Sequence, residues 1–167
     1  MLVALSDTHA AESPQLTPHL RKQIADAEQV VHAGDFTTAA VLDAFESAAS
    51  SFAGVSGNRD TSAVRERLPE TRTVTWVGRR FLLVHGHRHD STALSLLARQ
   101  ENADVAIIGH SHRPAIESID GLPVVNPGSH ADPRRFDAAY ASFGQVGGGV
   151  RVRLRTPRGE ALATGEI

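Results

Sequence analysis

The chain has 167 residues, of which 41% are hydrophobic and 22% charged, and its formal net charge is −2. This length and composition are typical of a single globular domain, which we predict over residues 1–167. The near-neutral charge excludes a global basic field for nucleic acids or anionic membranes, and the lack of cysteine excludes disulfides and thiolate metal sites. No stretch approaches the ~20 apolar residues of a membrane span, so we expect a cytoplasmic protein.

Short apolar runs rich in β-branched residues recur along the chain and predict seven strands. They cover residues 2–5, 30–33, 52–55, 74–77, 81–84, 105–108 and 122–125. Apolar residues at helical spacing predict three helices between these strands, around residues 16–27, 41–48 and 94–98. Asp90 or Ser91 is the expected N-cap of the third helix.

The chain changes to strands without helices after Asn126-Pro-Gly-Ser129, a sequence typical of a tight turn. Residues 140–143 and 150–154 predict a hairpin across the glycine-rich segment 144–149. Strands that alternate with helices and are followed by a β-rich end indicate an α/β or α+β sandwich.

Metal-ligating side chains directly follow five of the predicted strands. These strand ends read Ser6-Asp7-Thr8-His9, Gly34-Asp35, Ser56-Gly57-Asn58-Arg59-Asp60, His85-Gly86-His87 and Gly109-His110-Ser111-His112. Because the carboxyl ends of parallel strands meet at one edge of a sheet, we expect these side chains to share a pocket. Each motif alone has a plain alternative, since a strand-end Asp often caps a helix and an H-x-H can lie in a polar loop. The five together favour a functional site.

The set of donors indicates two metal ions rather than one. It contains three oxygen donors and four imidazoles, which are Asp7, Asp35, Asn58, His9, His85, His110 and His112. Seven donors are too many for one first-row ion that keeps a position open, and they suit two ions if one carboxylate bridges them. Mixed oxygen and nitrogen donors without sulfur favour Mn, Fe, Co, Ni or Zn over Mg and Ca.

The ordered motifs D-x-H, G-D, G-N-x-D, H-G-H and G-H-x-H resemble those of the calcineurin-like metallophosphoesterases. The short chain, the Gly-Asn-Arg-Asp segment and the later Asn-Pro-Gly-Ser are similar to the small YfcE-like phosphodiesterases of bacteria and archaea. The resemblance runs from Asp7 to Ser129. It implies a four-layer αββα sandwich, with two facing mixed β-sheets flanked by helices, and a metal-dependent phosphodiesterase that acts on a small phosphorylated substrate.

The resemblance also implies how the donors are divided. One ion would be held by Asp7, His9, Asp35 and His112, and a second by Asp35, Asn58, His85 and His110, with Asp35 as the bridge. We expect two divalent transition-metal ions, with Mn preferred and Ni, Co, Fe or Zn as alternatives. A hydroxide between the ions would attack phosphorus in line, without a phosphoenzyme.

The chain departs from the family pattern at Arg59. Many members carry a histidine after Gly-Asn, where it can protonate the leaving group, and an arginine cannot give up its proton at working pH. We expect Arg59 to hold a phosphate oxygen or stabilise negative charge. Either His87 or water protonates the leaving group, or good natural leaving groups make protonation unnecessary. The predicted catalytic residues are therefore Asp35, Asn58, Arg59 and His87.

Several other polar residues have ordinary interpretations. Asp60 is expected to cap the short helix that follows it, with an orienting contact to Arg59 as the alternative. We expect His32 to be a hydrogen-bonded core residue and His19 to be solvated. Arg134 and Arg135 follow the last motif in a loop, from which they could reach an anionic substrate.

Three other functions remain open. Two of them are enzymes, a phosphomonoesterase and a dinucleoside-polyphosphate hydrolase. The motifs do not separate these from a phosphodiesterase, because substrate specificity depends on pocket walls that no motif describes. Outside the enzyme class, a non-catalytic binding protein similar to the retromer scaffold subunit has the same fold. Competent donors at all seven positions favour the enzyme. A nucleic-acid partner is not expected, since there is no basic stripe and aromatic residues make up only 5% of the chain; the sequence allows a homo-oligomer.

Overall fold

The structure is a computed structural model that describes residues 1–167. In chain order its strands are β1 (Leu2–Leu5), β2 (Gln29–His32), β3 (Phe52–Gly54), β4 (Thr71–Trp76), β5 (Arg79–Val84), β6 (Val105–Ile108), β7 (Ala115–Ile119), β8 (Leu122–Asn126), β9 (Tyr140–Val146), β10 (Gly149–Arg155) and β11 (Ala161–Glu166). The helices are α1 (Pro18–Asp26), α2 (Ala39–Ala48), α3 (Ser62–Arg65) and α4 (Ser91–Gln100). None of these helices has the length and apolar character needed to cross a membrane.

The strands form two mixed sheets. The first has the order β11-β10-β9-β1-β2-β3, in which β1, β2 and β3 are parallel and β9, β10 and β11 are antiparallel to their neighbours. The second has the order β4-β5-β6-β8-β7, in which β5, β6 and β8 are parallel. Each sheet therefore contains a parallel unit whose carboxyl edge can present side chains to a ligand.

Alternation along each strand sends its side chains to two different cores. Leu2 and Ala4 of β1 lie in a core between the sheets, where the rings of Phe81 and Phe143 meet edge to face at 5.5 Å. Val3 of β1 packs on the other side of the first sheet, against α1 and α2. A third core joins the second sheet to α4. The layers are thus helix, sheet, sheet and helix, which confirms the predicted αββα sandwich.

The N-termini of three helices are capped by side chains that accept backbone N–H groups. Thr17 accepts from Leu20 before α1, and Thr38 accepts from Val41 before α2. Asp90 accepts from the Ala93 N–H at 2.8 Å before α4, as predicted.

Two strands were not predicted, and both lie at the edge of a sheet. β7 pairs only with β8, and β11 pairs only with β10. Their residues are mostly half-buried or exposed, so neither strand has the continuous apolar run by which buried strands are recognised. The predicted hairpin is formed by β9 and β10, with a tighter turn than the sequence indicated.

His19 was predicted to be solvated, and this prediction is wrong. Its Nε2 lies 3.2 Å from the Tyr140 hydroxyl, so the side chain joins α1 to β9. His32 is fully buried, as expected, and its Nε2 lies 2.9 Å from the Thr8 hydroxyl. Its Nδ1 has no partner, however, so the hydrogen bonding of this core histidine is only half complete.

Candidate metal centre

The predicted strand ends meet where the carboxyl edges of the two sheets come together. Backbone hydrogen bonds tie neighbouring ends within each sheet, such as Asp7 N–H to the Gly34 carbonyl at 3.0 Å and Gly109 N–H to the His85 carbonyl at 3.1 Å. Between the sheets, the His110 N–H donates to the Asp7 carboxylate at 3.0 Å. Residues about a hundred positions apart in sequence are thus brought into one site.

The backbone at these strand ends adopts an uncommon conformation. Five of the seven predicted donors have positive φ: Asp7 (53°), His9 (45°), Asp35 (62°), His110 (68°) and His112 (59°). Non-glycine residues rarely adopt this left-handed region, and such residues cluster at functional sites where the surrounding structure holds them. The turns aim successive side chains into the space between the sheet edges.

One group of donors consists of Asp7, His9 and His112, whose ligand atoms all lie within 4.8 Å of one another. His112 Nε2 lies 3.5 Å and His9 Nε2 lies 3.8 Å from Asp7 Oδ1, and the two imidazoles stack at 4.9 Å. His112 Nδ1 lies 2.5 Å from the Asp132 carbonyl oxygen, to which it can donate. That contact fixes the ring and leaves the lone pair of Nε2 for a cation.

A second group consists of Asp7, Asp35 and His85, again within 4.8 Å. His85 Nε2 lies 3.2 Å from Asp35 Oδ2 and 3.1 Å from Asn58 Oδ1, while its Nδ1 lies 2.7 Å from the Ala33 carbonyl. Asn58 Oδ1 is also 3.1 Å from His110 Nδ1. The structure therefore brings all seven predicted donors together.

Two donor carboxylates lie against glycine backbone so closely that a side chain at the glycine would clash. A Cβ atom on Gly57 would overlap the Asp35 carboxylate, and one on Gly109 would overlap Ser6 and crowd Asp7. These glycines are therefore required for the carboxylates to lie against the next strand end.

The electrostatics of the site favour a cation. Burial lowers the pKa of His9, but the carboxylates of Asp35 and Asp7 outweigh this effect and raise it to about 9. Burial raises the pKa of Asp35, but His85 and His9 outweigh it and hold the pKa well below its usual range. Asp7 is completely buried, and its carboxylate faces His9, His112 and the His110 N–H rather than a lysine or arginine. Burying a carboxylate is costly, so a bound cation beside it would be stabilising.

The donor chemistry also fits divalent metal ions. His9 Nε2 is buried and makes no hydrogen bond of proper geometry, although Asp35 Oδ2 lies 3.2 Å away. An unpartnered nitrogen facing two carboxylates is the arrangement expected of a ligand whose partner is an ion. Carboxylate, amide and imidazole donors without sulfur suit first-row transition metals.

Asp60 differs from its predicted role. It is buried and does not cap α3, whose N-cap Thr61 makes no side-chain hydrogen bond. Its carboxylate instead accepts backbone N–H groups from Asp35 at 3.1 Å, Thr37 at 2.7 Å and Gly57 at 2.7 Å. Asp60 therefore joins the two loops that carry Asp35 and Asn58. Burial raises its pKa, an effect that the N–H groups of Gly57 and Thr37 partly offset.

The Asn126-Pro-Gly-Ser129 turn adds two further positioning residues. Asn126 donates to the Gly109 carbonyl at 3.0 Å and to the Ser111 hydroxyl at 2.9 Å. Ser129 donates to the Asp7 carbonyl at 2.7 Å. The turn therefore lies beside the site and holds the loops of Asp7 and His112, a role that its turn chemistry alone did not indicate.

Two polar cavities flank Asn58. The larger, of about 500 Å³, is lined by His9, Thr37, Asn58, Arg59, Asp132 and Arg134. The smaller, of about 210 Å³, is lined by Ser56, Gly57, Asn58, Arg65, Glu70, His87 and Arg88. Arg59 thus lies in the larger cavity and His87 in the smaller. Of the two loop arginines predicted to reach an anionic substrate, Arg134 lines the larger cavity and Arg135 lines neither.

His87 is close to the donors without joining either group. Its ring centroid lies 5.4 Å from that of His85 and 6.1 Å from that of His110. Burial, with the positive charge of His85, Arg88 and His110, lowers its pKa.

This convergence of strand-end donors is the feature that decides the family. A model of the calcineurin-like phosphoesterase superfamily domain matches residues 1–145. The chain belongs to this superfamily. It is 33% identical over 141 residues to a probable metallophosphoesterase of Methanothermobacter thermautotrophicus, a match that covers 82% of this chain and 81% of the relative. The predicted resemblance is thus confirmed, and the chain belongs to a superfamily of phosphoesterases.

Two further comparisons concern one relative by sequence and one structure with a similar fold. A phosphodiesterase of Methanocaldococcus jannaschii is 30% identical over 140 residues, covering 74% of this chain and 80% of the relative. The structure of vacuolar protein sorting 29 from Cryptosporidium parvum superposes with a TM-score of 0.82 over 99% of this chain and 96% of that one. At 17% identity this second likeness shows the shared fold alone.

Proposed function

We propose that this phosphoesterase is a phosphodiesterase that depends on two divalent metal ions. The observation that carries the proposal is the meeting of seven donors at one site, where Asp35 Oδ2 lies 3.2 Å from both His9 Nε2 and His85 Nε2. One oxygen thus faces an imidazole from each of the two donor groups. This position suits a bridging carboxylate.

We propose two sets of ligands, which these distances support. Asp7, His9, Asp35 and His112 would hold one ion, and Asp35, Asn58, His85 and His110 would hold the other. Asp7 also has an oxygen near both groups, but both of its oxygens face the His110 N–H, at 3.2 and 3.0 Å. We therefore assign the bridge to Asp35. Mn is the preferred ion, with Ni, Co, Fe and Zn as alternatives.

When bound, two such ions lower the pKa of a water molecule so that it can attack phosphorus, and they offset charge on the phosphoryl oxygens. The protein supplies the remaining requirements. The Ala33 and Asp132 carbonyls fix the rings of His85 and His112, so the donors need little rearrangement. Asn58 borders both cavities and would place the scissile phosphate between them.

Arg59 and His87 would act on opposite sides of that phosphate. Arg59 is permanently charged and would hold a phosphoryl oxygen, whereas a neutral imidazole at His87 is a weak source of the proton needed by an alkoxide. We therefore expect p-nitrophenyl esters to turn over well and simple alkyl esters poorly. Equal rates for the two kinds of ester would contradict this assignment of the leaving-group side.

The test of the proposed function is hydrolysis by chelator-treated protein to which Mn, Ni, Co, Zn or Mg is returned. Bis(p-nitrophenyl) phosphate should be cleaved in a metal-dependent way and faster than p-nitrophenyl phosphate. Asp35→Ala should abolish cleavage, while Asp26→Ala, which removes an exposed carboxylate on α1 paired with Lys22, should not change it. A preference for the monoester would instead support a phosphomonoesterase.

A non-catalytic binding protein is the second candidate, and the shared fold with vacuolar protein sorting 29 favours it. Seven competent donors argue against it, because a scaffold has no need of a buried carboxylate such as Asp7 whose neighbours are histidines rather than a lysine or arginine. If no metal restored hydrolysis of either ester, the result would support this candidate instead of the enzyme.

A further inference from the structure

The larger cavity contains two arginines whose guanidinium groups donate no hydrogen bond within the protein. Arg59 and Arg134 both line it, and both are exposed. Of the two guanidinium groups, only that of Arg134 has an ion pair, with Asp132 Oδ2 at 3.8 Å from its Nε, beyond hydrogen-bonding distance. The guanidinium N–H groups of both arginines therefore lack an acceptor in the protein, although each group offers five donors.

The smaller cavity provides an internal comparison. Arg65 donates to the Asp60 carbonyl at 2.8 Å, and Arg88 donates to both oxygens of Glu70 at 2.7 and 2.9 Å. The arginines on this side of Asn58 are therefore committed to structural contacts. Among the arginines that line the two cavities, only Arg59 and Arg134 have guanidinium groups without a hydrogen-bond acceptor in the protein.

We propose that the larger cavity binds a second anionic group of the substrate, so that the preferred substrate is a phosphodiester with a further phosphate on one ester-linked group. This inference rests on the proposed function. Planar guanidinium groups bind phosphate through paired hydrogen bonds. Arg59 would hold an oxygen of the scissile phosphate, so Arg134 is the arginine of this cavity that remains for a second phosphate. No hydrophobic residue lines the cavity, so the linker between the two phosphates is polar, as in a sugar or polyol.

Arg134 is the residue that distinguishes this subsite from the metal centre. It lies in the loop whose Asp132 carbonyl holds the ring of His112, so its backbone is anchored beside the donors. Asp132 would accompany Arg134 as a counter-ion in the free protein and be replaced by the stronger contact with phosphate. Arg135 is a matched control, because it follows Arg134 directly, lies over the Phe136 ring at 5.2 Å and does not line the cavity.

The test is calorimetric binding of fructose 6-phosphate and fructose 1,6-bisphosphate to the Mn-loaded protein. We expect the bisphosphate to bind about tenfold more tightly or better, since it adds charge-assisted hydrogen bonds to arginine. Arg134→Gln should reduce this ratio to within about twofold, Arg134→Lys should give an intermediate value, and Arg135→Gln should keep the ratio of the natural chain. Thermal melting of each variant checks that the fold is retained.

The proposed subsite would be refuted if the natural chain bound the two sugar phosphates with equal affinity. It would also be refuted if the affinity ratio were unchanged in Arg134→Gln. Turnover of bis(p-nitrophenyl) phosphate, measured on the same preparations, tests the proposed function separately. Selective binding without turnover would support the anion subsite and reject the phosphodiesterase, whereas turnover without selective binding would reject only the subsite.

Discussion

Asp60 offers the most direct test of how the candidate site is held together. Its carboxylate accepts three backbone N–H groups in a buried environment, with Oδ2 serving Asp35 and Gly57 and Oδ1 serving Thr37. Each buried donor left without a partner costs roughly 1–3 kcal/mol. Asp60→Ala should therefore lower the free energy of unfolding by about 3–6 kcal/mol, since the loops can relax and water can enter.

Asp60→Asn should have a smaller effect. The amide oxygen can keep the hydrogen bonds from Asp35 and Gly57, but the amide nitrogen would then face the Thr37 N–H, and two donors cannot pair. A single lost hydrogen bond of this kind predicts a decrease of about 1–3 kcal/mol. Both variants should also bind metal more weakly, because Asp60 joins the loops that carry Asp35 and Asn58.

Urea unfolding of the metal-free protein measures the first effect, and calorimetric titration with Mn measures the second. Asp90→Asn is the matched control, because Asp90 is exposed, accepts one N–H from Ala93, and Asn is an equally good N-cap. We expect this control within about 0.5 kcal/mol of the natural chain. An Asp60→Ala protein that loses less than about 1 kcal/mol, or that binds Mn as tightly as the natural chain, would refute the reasoning.

Three further predictions concern the metal donors and a buried histidine. Asp35→Ala should lose both ions, as shown by metal analysis after desalting, and retention of two tightly bound ions would rule out the bridge. Binding of Mn at pH 7.5 should release a proton from His9, whose pKa of about 9 keeps it protonated in the metal-free protein. Titrations in buffers of different ionisation enthalpy measure this release, and a His9→Gln protein that releases as many protons as the natural chain would show that His9 is not the source. Burial lowers the pKa of His130 to about 4, against about 6.5 unfolded, so the unfolded chain binds the extra proton. The contribution of His130 to the stability of the metal-free protein should therefore be fully present above about pH 6.5 and fall by up to about 3 kcal/mol towards pH 4. His130→Gln should remove that component of the urea-unfolding profile, and an identical pH dependence in both proteins would contradict it.

The strands could be predicted where burial on both faces requires a continuous apolar run in the sequence. β1 and β6 appear as unbroken apolar runs because both faces of these strands are covered. β7 and β11 could not be found in this way, since edge strands need no continuous apolar run and their sequences contain glutamate, serine and glycine. Asp90 was recognisable as a cap because an N-cap is a local interaction.

The residues of the candidate site could be predicted from sequence, but several contacts that hold them together could not. The rule that parallel strands carry ligands at their carboxyl edge accounts for Asp7 and Asp35 on one sheet and for His85 and His110 on the other. It does not predict that the two edges meet, because that depends on contacts between the sheets. His85 Nδ1 lies 2.7 Å from the Ala33 carbonyl, and the His110 N–H donates to Asp7 at 3.0 Å. The side chains that complete the chemistry are thus visible as motifs. The Ala33 carbonyl and the His110 N–H, which help to join the two halves, are backbone groups and carry no residue-specific signal. Asp60 was misassigned for the same reason, since its three partners are backbone N–H groups on two separate loops.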